Sequence, residues 1–184
     1  MQNKSLKFFP LLFILIFGIS AFAQVKKQTR SPNVTIEMTD DGSTSELLPI
    51  TLSAVPASTN AKIGFKYFGA NADSDISTIL ILKGNKTSYE SGSFGAKVII
   101  DGIPLKSDAF RSIKFIKKVA GEETVRLYLR AEEIAWMATG DDISIELYNL
   151  ETNKKLETLI FIPARLKEFK DFARSILMIK STAE

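Results

Sequence analysis

The chain predicts an α+β fold: a single, mainly antiparallel β domain, shaped as a sandwich or partial barrel, with a short helix and a C-terminal amphipathic helix packed on the sheet. Three observations carry this. Short segments in which apolar and polar residues alternate recur from Val34 to Ile162, with the period of half-buried strands. The period becomes helical over Ala131–Thr139 and again after Pro163. No linker is long enough to divide the chain, and no repeat of fixed period is present.

Residues 1–23 have the pattern of a secretory signal. Lys4 and Lys7 form a basic start. Phe8 to Ile19 is a short apolar run broken by Pro10 and Gly18, and Ala21-Phe22-Ala23 is a small-x-small cleavage site. The run is shorter than the roughly 20 apolar residues of a spanning helix. No Cys follows the cut, which excludes a bacterial lipoprotein anchor. The segment resembles signal peptides of Gram-negative bacteria, including Gln24 just after the cut. That resemblance implies a periplasmic or secreted protein that does not span the membrane after cleavage.

Gln24 to Pro32, with Lys26, Lys27 and Arg30, is expected as a flexible polar tail. Residues 33–180 are expected as the one β-rich domain and 181–184 as a closing tail. Removing 23 of 184 residues leaves 161, enough for a sizeable core. It also removes two of 24 basic residues, leaving 22 against 21 acids and a net charge near +1. No further basic run and no aromatic interleaving argue for nucleic acid, which is excluded as a partner.

The chain has neither cysteine nor histidine. An exported protein without cysteines stands on its core alone. The two absences exclude thiol and Ser-His nucleophiles, redox thiols, haem ligation by His and every ordinary zinc site.

Val34, Ile36 and Met38 alternate with Thr35 and Glu37 in a first strand. Asp40-Asp41-Gly42 is a turn signal. Glu46 to Val55 is a strand with Leu48, Ile50 and Leu52 on one side, and Pro49 marks an edge or a bulge. Lys62 to Phe68 turns Ile63, Phe65 and Tyr67 inward. In Ile76–Lys83 the unbroken run Ile79–Leu82 fits a central strand covered on both faces. Thr87–Gly95 is rich in Ser and Gly and is expected as a mobile loop. Lys97–Asp101 and Ser112–Val119 are further strands, the second ended by Ala120-Gly121.

Val125, Leu127 and Leu129 oppose Arg126, Tyr128 and Arg130 in the next strand. Ile134, Met137 and Ala138 then share a helical face, with Glu132 and Glu133 in the first turn and Gly140 as the stop. Ile143–Tyr148 is a strand, and Asn153 can supply the left-handed residue of the following turn. Lys155–Ile162 returns, with Leu156, Thr158, Ile160 and Ile162 on one face and Leu159 and Phe161 on the other, which predicts cover on both sides of its far end. Pro163 suits a first helical position. From Ala164 to Ile179 the stripe is Leu166, Phe169, Ala173, Ile176 and Leu177, with Phe172 on its flank. The polar side is mixed in sign, which fits a helix covering a core rather than lying on a membrane. The count is about nine strands and two helices.

Few residues suggest chemistry. Asn71, Asp73 and Asp75 place three oxygen ligands at alternate positions, as the front of a calcium loop does, but Ile76 stands next and Glu90 is too distant to complete it. A polar turn is the simpler reading, and no cofactor other than calcium at that turn is expected. Ser91-Gly92-Ser93-Phe94-Gly95 does not match G-x-S-x-G, and no Ser has Lys three positions on. Trp136 is the only tryptophan and lies off the main stripe of its helix. It seals a core, stacks on a sugar or anchors a partner. Tyr89, Phe94 and Trp136 are the candidate binding residues.

The Thr124–Ile179 pattern resembles a unit of secreted bacterial domains of unknown function: a strand, a helix like Ile134-Ala-Trp-Met-Ala138, a strand like Ile143–Tyr148, another strand, and a closing helix like Leu166-Lys-Glu-Phe169. The resemblance spans the C-terminal third and implies an architecture without an activity. The function expected is a non-catalytic binding module of the cell envelope, taking a protein, an envelope component or a small apolar ligand in a groove or at a sheet edge near Thr87–Gly95. The alternative is a carboxylate- or metal-dependent hydrolase acting on envelope or extracellular material. It requires several of Asp73, Asp75, Asp101, Asp108, Asp141 and Asp142 to converge.

Overall fold

The computed structural model describes residues 26–39, 42–69, 76–85, 87–105 and 110–182. Among these, β1 (Lys26–Ser31) pairs with β2 (Val34–Thr39), which pairs with the long β3 (Gly42–Val55). The segment expected as a polar tail thus carries a paired strand. β4 (Asn60–Phe68) and β5 (Ile76–Lys83) continue the meander. Then follow β6 (Phe94–Ile100), β7 (Ile103–Pro104), β8 (Arg111–Ser112), β9 (Lys114–Val119) and β10 (Glu122–Leu129). The chain ends with α1 (Ala131–Met137), β11 (Ile143–Asn149), β12 (Lys154–Ile160) and α2 (Pro163–Thr182).

The strands form one sheet in the order β7-β6-β11-β12-β3-β4-β5-β10-β9, with β1–β2 added at β3 and β8 at β6. β3 belongs to both halves. Gly42–Leu47 lies against β2, and Ser53–Val55 lies against β12. The inward residues of both halves meet in one core, which makes the arrangement sandwich-like. At the far edges, Arg111–Ser112 pairs with β6 while Lys114–Val119 pairs with β10. Among the described residues only this short crossing links the two edges, and the sheet stays unclosed.

Pro49 does mark a bulge. The β3–β4 register shifts between Leu47 and Ile50. Ser45 and Leu47 face the core before it, and Ile50, Leu52 and Ala54 after it. The extra residue reverses the phase and leaves Leu48 43% exposed, so Leu48 does not share a face with Ile50. β5 is central, between β4 and β10, but it is not covered on both faces. Ile76, Thr78, Leu80 and Leu82 are buried, while Ile79 and Ile81 are half-buried on an outer face over which the described residues form no second layer. In β12 the buried face is that of Leu159, shared with Glu157 and continued by Phe161 beyond the strand.

α2 packs on β3, β2, β1 and α1. Its buried side is Leu166, Phe169, Phe172, Ala173, Ile176 and Ile179. The Phe65 ring lies 5.2 Å from Phe169 and 5.6 Å from Phe172, and Phe161 lies 5.2 Å from Phe169. Leu177, expected in the stripe, is 55% exposed. Phe172 takes the central place instead, because the aromatic shelf of Phe65 draws that side of the helix inward. The buried Ser175 hydroxyl donates to the Phe172 carbonyl at 2.5 Å and meets the hydroxyl of Ser45.

Two hairpins have left-handed residues at both central positions, Asp101-Gly102 (φ 50° and 78°) and Ala120-Gly121 (φ 51° and 78°). That is the type I′ pattern, whose twist matches the strands it joins. Asn153 is left-handed too, at φ 50°. No helix among the described residues is long and apolar enough to cross a membrane.

Candidate binding site

α1 is seven residues long and needs support from outside itself. Glu133 supplies it. One of its oxygens accepts the Arg130 amide at 2.9 Å, closing the helix N-terminus, and the other pairs with the Arg111 guanidinium of β8. Ile134 and Met137 are fully buried beneath the helix. Trp136 lies on the other side and is 67% exposed.

The indole separates two shallow clefts. One, of about 200 Å3, runs between Trp136, Glu132, Glu133 and Leu105. The other, of about 190 Å3, lies between Trp136, Thr139 and the β6–β7 hairpin, where Ile103, Pro104 and Leu105 form the apolar wall. Ile103 is 69% exposed, so the apolar surface continues from the indole onto the hairpin.

Acids rim this surface. Asp101, at the hairpin turn, accepts the amides of Asp141 at 3.0 Å and Asp142 at 2.8 Å. Asp101, which lines the second cleft, is thereby joined to the Asp141-Asp142 pair 40 residues further on. Asp141 pairs with Lys170 at 3.2 Å, and Glu132, on the other side, reaches Arg130 at 3.5 Å. Asp101, Asp141 and Asp142 group around backbone amides rather than around a common point. Among the described residues no three acids are arranged to hold a metal ion.

Tyr89 and Phe94 do not join Trp136. Both are buried, at 2% and 5% exposure, with rings 4.8 Å apart. Phe94 begins β6 while Ile100, which lines the Trp136 cleft, ends it, a separation of roughly 20 Å along a strand. The loop expected to be mobile is folded inward. Asn71, Asp73 and Asp75 lie outside the described residues, as do Asp40, Asp41, Asp108 and the signal segment.

The inward loop closes over a buried polar cluster that no sequence motif marks. Glu123 is 1% exposed and accepts from the Tyr89 amide (3.0 Å), Lys118 Nζ (2.9 Å), Asn85 Nδ2 (3.0 Å) and Ser88 Oγ (2.9 Å). Burial pushes its pKa up, but these four donors outweigh burial and hold it down to about 2. Glu157 is 4% exposed and is shifted the other way, by burial first and then by the nearby Glu123 charge, against the hydrogen bond it accepts from Thr59 at 3.1 Å. Burial, followed by Glu157 and Glu123, pushes the Tyr89 hydroxyl up as well. Glu157 Oε2 and the Tyr89 hydroxyl are buried without a hydrogen-bond partner among the described residues. Two acids with opposed shifts resemble an acid–base pair, but neither side chain of this pair is open to a substrate. Their positions were readable from strand phase: Glu123 alternates in step with Val125 and Leu127, and Glu157 with Leu159.

No family model, curated protein or solved structure matches this chain.

Proposed function

We propose that the chain is a non-catalytic binding module of the bacterial cell envelope, exported by its first 23 residues, and that it docks a partner protein through Trp136. The carrying observation is the exposure of the lone tryptophan, 67%, on a helix that Glu133 ties rigidly to β8. A single exposed apolar residue would need no explanation. Here the indole continues into Ile103, Pro104 and Leu105 and is flanked by a cleft on each side. A preorganised aromatic anchor loses little entropy on binding, and Trp is enriched at the centres of interfaces. The acids Asp101, Glu132 and Asp142 select a partner segment that carries an apolar side chain beside positive charge.

The test is in-cell crosslinking of the tagged mature protein with a photoreactive side chain at position 103, followed by mass spectrometry. One dominant partner is expected, with capture lost in Trp136→Ala while the melting temperature stays within a few degrees. Capture that ignores Trp136→Ala, or no partner at all, overturns the reading.

A further inference from the structure

The outer face of β4, β5, β10 and β9 holds a second surface, distinct from the Trp136 cleft. Residues opposite one another in a ladder share a face, so the register maps it row by row. Lys62 stands opposite Ile81. Gly64 stands opposite Ile79, Ile79 opposite Arg126, and Arg126 opposite Lys114. Lys66 stands opposite Ser77, which stands opposite Tyr128. Lys117 lies opposite Thr124, and Lys83 opposite Glu122.

The cations of this band are Lys62, Lys66, Lys83, Arg126, Lys114 and Lys117, and all but Arg126 are exposed. Glu122 answers Lys83 at 3.7 Å, and Glu46 of the neighbouring β3 reaches Lys66 at only 4.0 Å. Lys62, Lys114 and Lys117 have no acidic partner among the described residues. Arg126 and Lys114 are like charges directly opposite each other, an arrangement that is unfavourable unless an anion lies between or above them. A chain of nearly balanced charge has thus sorted itself into this basic face and the acidic rim around Trp136.

Apolar side chains share the basic face. Phe68, Tyr128 and Val119 are 46%, 45% and 59% exposed. At its centre is a hollow of about 180 Å3 over Gly64, edged by Glu46, Pro49, Lys66, Ser77 and Arg126, with the Glu46 carboxylate 4.0 Å from Lys66. A Cβ on Gly64 would meet Leu47 O at 3.2 Å and Ile79 Cγ1 at 3.3 Å. Arg126 Nε is buried at the hollow without a hydrogen-bond partner among the described residues.

We infer that this face docks on an anionic membrane surface, with a lipid phosphate seated in the Gly64 hollow between Arg126 and Lys66. Lys and Arg around it reach the headgroups, and Tyr128, Phe68 and Val119 enter the interface. A soluble polyanion would be met by the cations alone. The exposed apolar residues among them favour lipid. Guanidinium and ammonium groups on either side of an apolar floor suit a phosphate oxygen.

The test is co-sedimentation of the full mature protein with vesicles of phosphatidylcholine, with and without phosphatidylglycerol. Binding is expected only when phosphatidylglycerol is present, and it should weaken as salt rises. The double variant Lys114→Glu, Lys117→Glu should lose at least tenfold in partition. Arg126→Gln, which keeps the packing over Ile79, should weaken binding without charge reversal, and circular dichroism checks that each variant is folded. Trp136→Ala should bind vesicles as the parent does, which separates this result from the partner-docking test. Equal partition onto neutral vesicles, no partition, retention by the folded double variant, or binding to soluble polygalacturonate in place of vesicles overturns the inference.

Discussion

The Tyr89 backbone amide donates to the Glu123 carboxylate at 3.0 Å, joining residues 34 positions apart. Asn85 and Ser88 donate to the same carboxylate from the same loop. One buried acid therefore orders a segment whose composition reads as mobile. Two of the loop's polar side chains, Asn85 and Ser88, reach a charge inside the protein, while Glu90, Ser91 and Ser93 stay exposed.

Glu123 should make the protein sensitive to acid. Its folded pKa, about 2, lies below the ordinary 4.5. A depressed carboxylate stabilises the fold fully above its unfolded pKa, and that stability is lost as pH falls from about 4.5 towards 2. A shift of this size corresponds to about 3 kcal/mol. Urea unfolding of Glu123→Ala should show a loss of that order at pH 7, and the gap from the parent should narrow at pH 3. A gap independent of pH would mean that the lost stability is packing alone.

Glu157 has the opposite sign. Its folded pKa is raised, so its contribution is complete at low pH and is lost as pH rises through the raised value. Glu157→Gln keeps the shape and an oxygen for Thr59 but cannot ionise. Its melting temperature should exceed the parent's at pH 9, with the difference shrinking towards pH 4. Parallel profiles would show that Glu157 carries no buried charge in alkali.

Phe172 and Leu177 separate the core side of α2 from its wet side. Phe172 is fully buried against Phe65, while Leu177 is 55% exposed. Phe172→Ala should cost about 3–5 kcal/mol. Leu177→Ala should stay within about 0.5 kcal/mol. Chemical denaturation of the two variants checks this, and comparable losses would place the helix in a different rotation.

Gly95 tests the packing of β6 on the β11–β12 turn. A Cβ there would lie 2.8 Å from Leu150 Cδ2 and 2.9 Å from Phe110 Cβ. Overpacking of this kind costs about 1–3 kcal/mol. Gly95→Ala should lower the denaturation midpoint accordingly. An unchanged midpoint would show that Leu150 moves aside freely.

Much of the fold was legible because strand and helix periods are local properties. Val125-Leu127-Leu129 and Ile134-Met137 sit where alternation and helical spacing place them. Leu48 was misplaced because a bulge adds one residue and inverts the phase after it, and the sequence marks only that Pro49 disrupts the ladder. Leu177 was misplaced because a helical stripe leaves its rotation open by a residue or so until something packs against it. Trp136 does lie off its stripe, but it does not seal a core, the commoner role of a lone tryptophan, because it is 67% exposed. The burial of Tyr89 and Phe94 was not legible, since polar neighbours disguise a loop that turns inward.

The order of residues by itself determined the α+β class, the turn at Ala120-Gly121, and the absence of cysteine and histidine chemistry. These follow from local backbone preference and composition, which need no distant partner. Tertiary structure alone decided that Glu123 meets Lys118 and the Tyr89 loop, and that Asp101 gathers Asp141 and Asp142 beside Trp136. It alone lined up Lys62, Lys66, Arg126 and Lys114 on one face. Charge in a sequence is a sum, whereas charge on a folded surface is a distribution set by strand register. Register is fixed by which side of each strand the core buries.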